Sequence, residues 1–312
     1  MPEAVRAAVF WAAMVLFSMH LGLALAAAAI PCITSLSGLR KVKHLKIFID
    51  KFGQQASTFA LLGGLWTFVV LCAALTATRL LLPARAASLV GFPLPLAAIA
   101  APVLLGGMAF LSYRGLWQRL KTQKSRHAMI GIGATLLLWV GFYAGLAAVR
   151  ALALDLPLPL RPDFLLPPGN APFWRLLILG LLLSLALAGT FTGAWLVWRR
   201  NTDDFGRDYY NFTMRLAARI GFIAHIAALV VMGWLTVGLM PLISELTSTQ
   251  TLALGLYGTG TLITLVCLGA VMSQENALRR KVLLIFAFLA TLASLTGLLA
   301  GLVGIFLPSL AA

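Results

Sequence analysis

Carboxylates are scarce in this 312-residue chain, and none stands inside a long apolar run. The nine are Glu3, Asp50, Asp155, Asp163, Asp203, Asp204, Asp208, Glu245 and Glu275. Proton pumps and proton-coupled transporters usually place a carboxylate within the membrane, so this lack weighs against both. Cysteine is also sparse. Cys32, Cys72 and Cys267 lie far apart in apolar surroundings, with no CxxC and no CxxCH. That excludes a dithiol redox pair and a covalently attached c-type haem, and leaves each thiol as a small packing residue. No Walker motif, dinucleotide fingerprint or hydrolase elbow occurs, since each needs a soluble strand–loop–helix. The net charge of +15 has no soluble basic domain to carry it, which excludes nucleic acid as a partner.

What is present is hydrocarbon. The chain is 61% hydrophobic and 11% charged, the composition of an all-α polytopic membrane protein in contact with a lipid bilayer. Its organising stretch is Phe10 to Gln55. A 24-residue apolar run, FWAAMVLFSMHLGLALAAAAIPCI, passes directly into a basic tail, SLSGLRKVKHLKIFIDKFGQQ. The run is too long for a cleaved signal peptide, and its positive charge follows rather than precedes it. About 20 apolar residues suffice to cross a bilayer.

Hydropathy gives eight spans: Phe10–Leu36, Ser57–Thr78, Leu94–Tyr113, Met129–Val149, Phe173–Trp198, Leu216–Met240, Leu252–Met272 and Val282–Leu307. The connections after spans one, three, five and seven, together with Arg219 in the first turn of span six, carry 18 of the 24 Lys and Arg residues. Cytoplasmic loops collect Lys and Arg, so both termini are expected outside. Attraction to anionic lipid accounts for the same excess. Each half begins with a span followed by a basic amphipathic stretch. Leu39–Gln55 fits a helix lying in the interface, and Phe205, Tyr209, Phe212 and Leu216 repeat its spacing. Two four-helix bundles are the expected architecture, over residues 1–150 and 173–312, joined by a proline-rich outer loop at 151–172. That loop is a stiff connector or a seat for an extracytoplasmic partner. Gly141-x-x-x-Gly145, Gly189-x-x-x-Gly193 and Gly297-x-x-x-Gly301 mark close helix approaches, and Pro31 and Pro102 interrupt or kink their spans.

Two ionisable residues lie deep, His20 and His225. At about 1.5 Å per residue each sits roughly 15 Å from its membrane edge, near the midplane of a core about 30 Å thick. A neutral imidazole is a common metal ligand, so both are candidates to hold one haem iron. The competing reading is an interhelical hydrogen bond. His44 and His127 stand beside Lys and Arg and read as solvated interface residues. Met14, Met19, His20 and Cys32 share the first span and have the soft ligand types of a copper(I) path. Met14 and Met19, five apart, do not stack on one face.

The run Met19-His20-Leu21-Gly22-Leu23, the basic loop, and LKIFIDKFGQQASTFALLGGLWTFVV resemble the opening of subunit I of the cytochrome bd quinol oxidases. Arg126-His127 through Trp139 resembles the start of that family's fourth helix. The resemblance covers the first half of the chain. It implies two four-helix bundles starting outside, and a first-helix haem ligand at His20. The chain departs from the family where the fifth helix should open with a ligating histidine, since it reads Phe173-Trp174-Arg175. It has no acidic residue in Leu94–Tyr113, only a short turn at Pro241–Gln250 in place of the quinol loop, and no helix after the eighth span. These departures point away from a standalone oxygen reductase. They point toward the membrane subunit of a larger redox complex in a bacterial inner membrane, binding b-type haem and exchanging electrons with quinone or partner subunits. A solute or copper permease and a cofactor-free structural anchor remain open beside it.

Overall fold

The computed structural model describes residues 3–39, 45–81, 93–153, 165–239 and 247–306, with side chains at all of these except 3, 71–81, 93–96, 151–153 and 306. Among the described residues the long regular elements are eight α-helices: α1 Glu3–Gly38, α2 Lys46–Leu81, α3 Pro93–Gly115, α4 Lys124–Ala153, α5 Pro172–Arg199, α6 Arg207–Leu239, α7 Ser248–Met272 and α8 Lys281–Phe306. A 3-10 turn, Ala277–Arg280, leads into α8. Among the described residues seven helices are long and apolar enough to cross a membrane, so the chain is a multi-pass membrane protein. The Ser57–Thr78 span falls on α2, whose side chains from residue 71 onward are outside the described set.

Helix boundaries differ from expectation at two basic stretches. From Lys46 onward the amphipathic segment is not a separate interfacial helix but the opening turns of α2, which runs 36 residues without a break. Residues from Arg207 likewise open the 33-residue α6. Continuity avoids the orphaned N–H and C=O groups that an extra pair of helix ends would leave. Pro31 and Pro102 both lie inside helices, α1 and α3. Proline lacks the N–H that bonds back one turn, and just after Pro31 the Cys32 N–H donates to Thr135 Oγ1 of α4 at 3.1 Å.

The chain folds into two compact units, residues 1–26 with 182–312, and residues 27–181. The dividing lines fall inside α1 and α5. The proline-rich connection at 151–172 therefore lies within the second unit, whereas the sequence placed the division there.

In the first unit, small residues bring backbones together. Gly260 of α7 faces the backbone of Ala290 and Ser294 in α8, and Gly297 of α8 faces Ala253 and Tyr257 in α7. Hydroxyl pairs tie the same two helices, Thr261 to Ser294 at 2.7 Å and Thr264 to Thr291 at 3.1 Å. The N-terminal half of α1 joins them through Ser18 Oγ and Thr296 Oγ1, 2.7 Å apart. Between α5 and α6, Asp203 accepts two hydrogen bonds from Arg199 at 2.9 and 2.7 Å. Asp204 Oδ1 accepts from the N–H of Gly206, which takes φ +85°, a backbone region that glycine enters without steric cost. Thr247 and Gln250 form a capping box at the start of α7, satisfying two otherwise unpaired N–H groups.

In the second unit, α3 and α4 pack closely at Gly106 against Leu138 and Gly141 against Val103. At one end, Tyr143 of α4 donates its hydroxyl to the Leu165 carbonyl and the Trp174 indole donates to the Pro168 carbonyl at 3.0 Å. Tyr143, Phe173 and Trp174 meet edge-on around them. The 165–171 part of the proline-rich connection is thus held by aromatic side chains. Residues 154–164 lie outside the described set.

Candidate functional site

His20 and His225 belong to the same compact unit. His20 stands about midway along α1, and His225 about midway along α6. Each ring makes the same local bond: His20 Nδ1 lies 2.5 Å from the Leu16 carbonyl, and His225 Nδ1 lies 2.8 Å from the Gly221 carbonyl, both four residues back. A carbonyl oxygen only accepts, so Nδ1 must carry the proton. In a neutral ring the lone pair is then on Nε2, the tautomer that Nε2 ligation requires.

Their surroundings differ. His225 is 4% exposed. Its helix is pressed against α5 where Gly221 meets Thr190, and against α7 at Leu268. His20 is half-buried, on the border between two stripes of α1. One stripe, Ser18, Gly22 and Leu25, is buried against α5 and α8, with Phe191 and Leu295 filling the space over Gly22. The other, Leu16, Phe17 and Met19, is exposed. His20 therefore opens toward the chain's own surface, whereas His225 is enclosed. Among the described residues no three His, Cys, Asp or Glu side chains gather as a metal cluster, so any metal group here would rest on one or two histidines. The residues of the suggested copper path separate. Met19 is on the exposed stripe, and Cys32 falls in the other unit.

A second constellation lies at the basic end of the second unit, where the end of α1, the start of α2, the end of α3 and the start of α4 meet. The Tyr113 hydroxyl and Thr34 Oγ1 are 2.8 Å apart. The His127 ring stacks on Tyr113 with centroids 4.2 Å apart and planes 17° from parallel, and Trp117 meets it edge-on at 4.8 Å. His127 Nε2 donates to the Tyr113 carbonyl at 2.8 Å. Two glycines admit these rings. A side chain at Gly131 would strike Ser35 Oγ and the Tyr113 ring, and one at Gly53 would strike the Trp117 indole. Lys124 Nζ lies 2.6 Å from Asp50 Oδ1. These groups surround a cavity of about 30 Å³. Ser35 lines it, 3% exposed, and its Oγ lies beside the Tyr113 hydroxyl without a hydrogen bond of ordinary geometry.

His127 is therefore not a solvated interface residue, the role its basic neighbours suggested. It is half-buried in an aromatic stack. A signal was available: Tyr113, Trp117 and His127 bracket the short α3–α4 connection, so two antiparallel helices were bound to bring them close. His44 lies outside the described residues. Asp50 and Lys124 keep 21% and 27% side-chain exposure, so solvent screens their attraction. Asp50→Asn is expected to cost about 1 kcal/mol or less. Thermal unfolding would measure it, and the loss should shrink as salt is added.

No family model, no curated protein and no solved structure matches this chain. Its class therefore rests on the fold and composition above: a helical, multi-pass membrane protein.

Proposed function

We propose that this chain is the integral membrane subunit of a respiratory or redox electron-transfer complex in a bacterial inner membrane, and that it holds a b-type haem through His20, with His225 as the candidate second ligand. The observation that supports this reading is the shared posture of the two rings: mid-helix, in one compact unit, each with Nδ1–H on a carbonyl of its own helix. Such a bond orients the ring and raises the basicity of Nε2, as outer-shell partners of ligating histidines do. When bound, the haem would supply a one-electron carrier within the membrane, serving quinone or a partner subunit. The exposed stripe beside His20 suits packing against another subunit. An absorption spectrum of the purified protein tests the proposal. A Soret band that shifts on reduction is the expected result, and a folded protein with no such band defeats it.

The reading includes eight spans in two four-helix bundles, with both termini outside. The 18 Lys and Arg residues gathered on alternate connections support that orientation. Reporter fusions at Lys121 and Arg200 are expected to label the cytoplasm, and fusions at Pro162 and Thr247 the outside. Reversed labelling at any two sites would overturn the map.

A cofactor-free structural anchor is the second reading. The enclosure of His225, hydrogen-bonded within its own helix, favours it, because packing alone accounts for that residue.

A further inference from the structure

From the cavity at the basic end of the second unit we infer a binding site for a phosphate-class anion, carried by the head group of an anionic lipid. This inference needs only the membrane class of the protein and stands apart from the haem reading.

Four observations carry it. The first is size: about 30 Å³ is room for two or three water-sized groups, enough for the oxygens on one side of a phosphate to enter while the rest of the head group stays outside. The second is an unsatisfied donor. Ser35 is 97% buried by the exposure above, lines the cavity, and has no hydrogen bond of ordinary geometry for its hydroxyl. With the Tyr113 hydroxyl beside it at poor geometry, this buried hydroxyl keeps capacity for a ligand or water. The third is charge. Lys121 and Lys124 both line the cavity, against the single carboxylate of Asp50. Asp50 engages Lys124 at 2.6 Å, and an ammonium has three donors, so Lys124 keeps capacity for an anion and the charge of Lys121 stands in excess. The fourth is the neighbouring surface. Leu36 and Leu39 are exposed and directly follow the lining residues Ser35 and Gly38, and exposed Ile47 stands two residues before the lining Ile49. Apolar surface beside a basic pocket at the ends of membrane helices suits a lipid, whose acyl chains need such a wall and whose phosphate sits at that depth. Free inorganic phosphate has no use for it.

The test uses the full chain in nanodiscs of phosphatidylcholine doped with phosphatidylglycerol, then native mass spectrometry of the lipid retained on transfer to detergent. Selective retention of phosphatidylglycerol is expected. Lys121→Gln should weaken it about tenfold, as loss of one charge-assisted hydrogen bond does, and Ser35→Ala about fivefold, as loss of a neutral one does. Both variants leave the Asp50–Lys124 pair in place, so the fold is kept. Arg200→Gln, in the other unit, should leave retention unchanged. Equal losses in Lys121→Gln and Arg200→Gln would overturn the site in favour of diffuse attraction to a basic surface. Unchanged retention in Ser35→Ala together with Lys121→Gln would leave the cavity to water alone and also overturn it. Inorganic phosphate is run in parallel on lipid-stripped protein. Thermal stabilisation by phosphate that Lys121→Gln abolishes, without retention of phosphatidylglycerol, would overturn the lipid as the carrier.

Discussion

Gly189→Ala is expected to destabilise the first unit by about 1–3 kcal/mol, the cost of forcing one methyl group into a filled contact. A Cβ at Gly189 would meet the Gly221 nitrogen, the Gly221 Cα at 2.7 Å and the Ala217 carbonyl at 2.9 Å. All three are backbone atoms of α6, so no side chain can rotate away and the two helices must part. The other members of the small-residue pairs serve as controls. A Cβ at Gly193 meets only the flexible end of Leu284, at 3.1 Å, and one at Gly145 meets nothing within 4 Å. Gly193→Ala should cost little. Gly145→Ala should be neutral or stabilising, since alanine is the better helix former by about 1 kcal/mol. Thermal unfolding of the purified protein measures all three. Equal stability of Gly189→Ala and Gly145→Ala would mean that α5 and α6 do not touch at Gly221. Because His225 lies one turn beyond Gly221, Gly189→Ala should also disturb whatever that ring binds.

The second large effect concerns His20. If the protein carries haem, His20→Ala removes an axial ligand and opens a space beside the iron. Haem content should fall, or the spectrum should change from low to high spin. His225→Ala should reproduce that change only if both rings serve one iron. If His225 acts through packing and its bond to Gly221, its loss should cost about 1 kcal/mol or less, with the spectrum intact. Since His225 is enclosed and His20 opens to the surface, a spectral change confined to His20→Ala would place the haem at the edge of this chain, against a partner. His44→Ala serves as a control outside the proposed ligand set. A spectrum unmoved by His20→Ala would remove His20 from the ligand set.

Much of the fold was legible because membrane helices advertise themselves. Seven of the expected spans coincide with helices long and apolar enough to cross, since length and hydrocarbon content alone decide that property. Their ends were less legible. The amphipathic stretch after the first span has the same 3.6-residue period whether it lies in the interface or continues into the next helix. Only the continuous α2 distinguishes the two. The glycine motifs were visible as pairs, but not their inequality. In Gly141/Gly145, Gly189/Gly193 and Gly297/Gly301 the first glycine makes the tighter contact and the second the looser one, because crossing helices touch at one point and then diverge.

The candidate sites divide the same way. His20 and His225 stood out in the sequence because an imidazole within an apolar run is conspicuous. Their occurrence in one compact unit, through the N-terminal half of α1 packing with α5 and α8, depended on contacts between residues hundreds of positions apart, such as Ser18 with Thr296. The His127 stack and the cavity beside it were less legible, since Trp117, Lys121, Lys124 and His127 sit in a basic connection that reads as solvated. By itself the sequence determined the solvent this protein lives in and the number of long apolar segments, because burial of hydrocarbon is a sum over neighbouring residues. Only the tertiary structure decided which small residues touch, which half of α1 joins which unit, and where polar groups close around a cavity. Those outcomes depend on the meeting of surfaces from distant parts of the chain, and a local pattern carries no record of them.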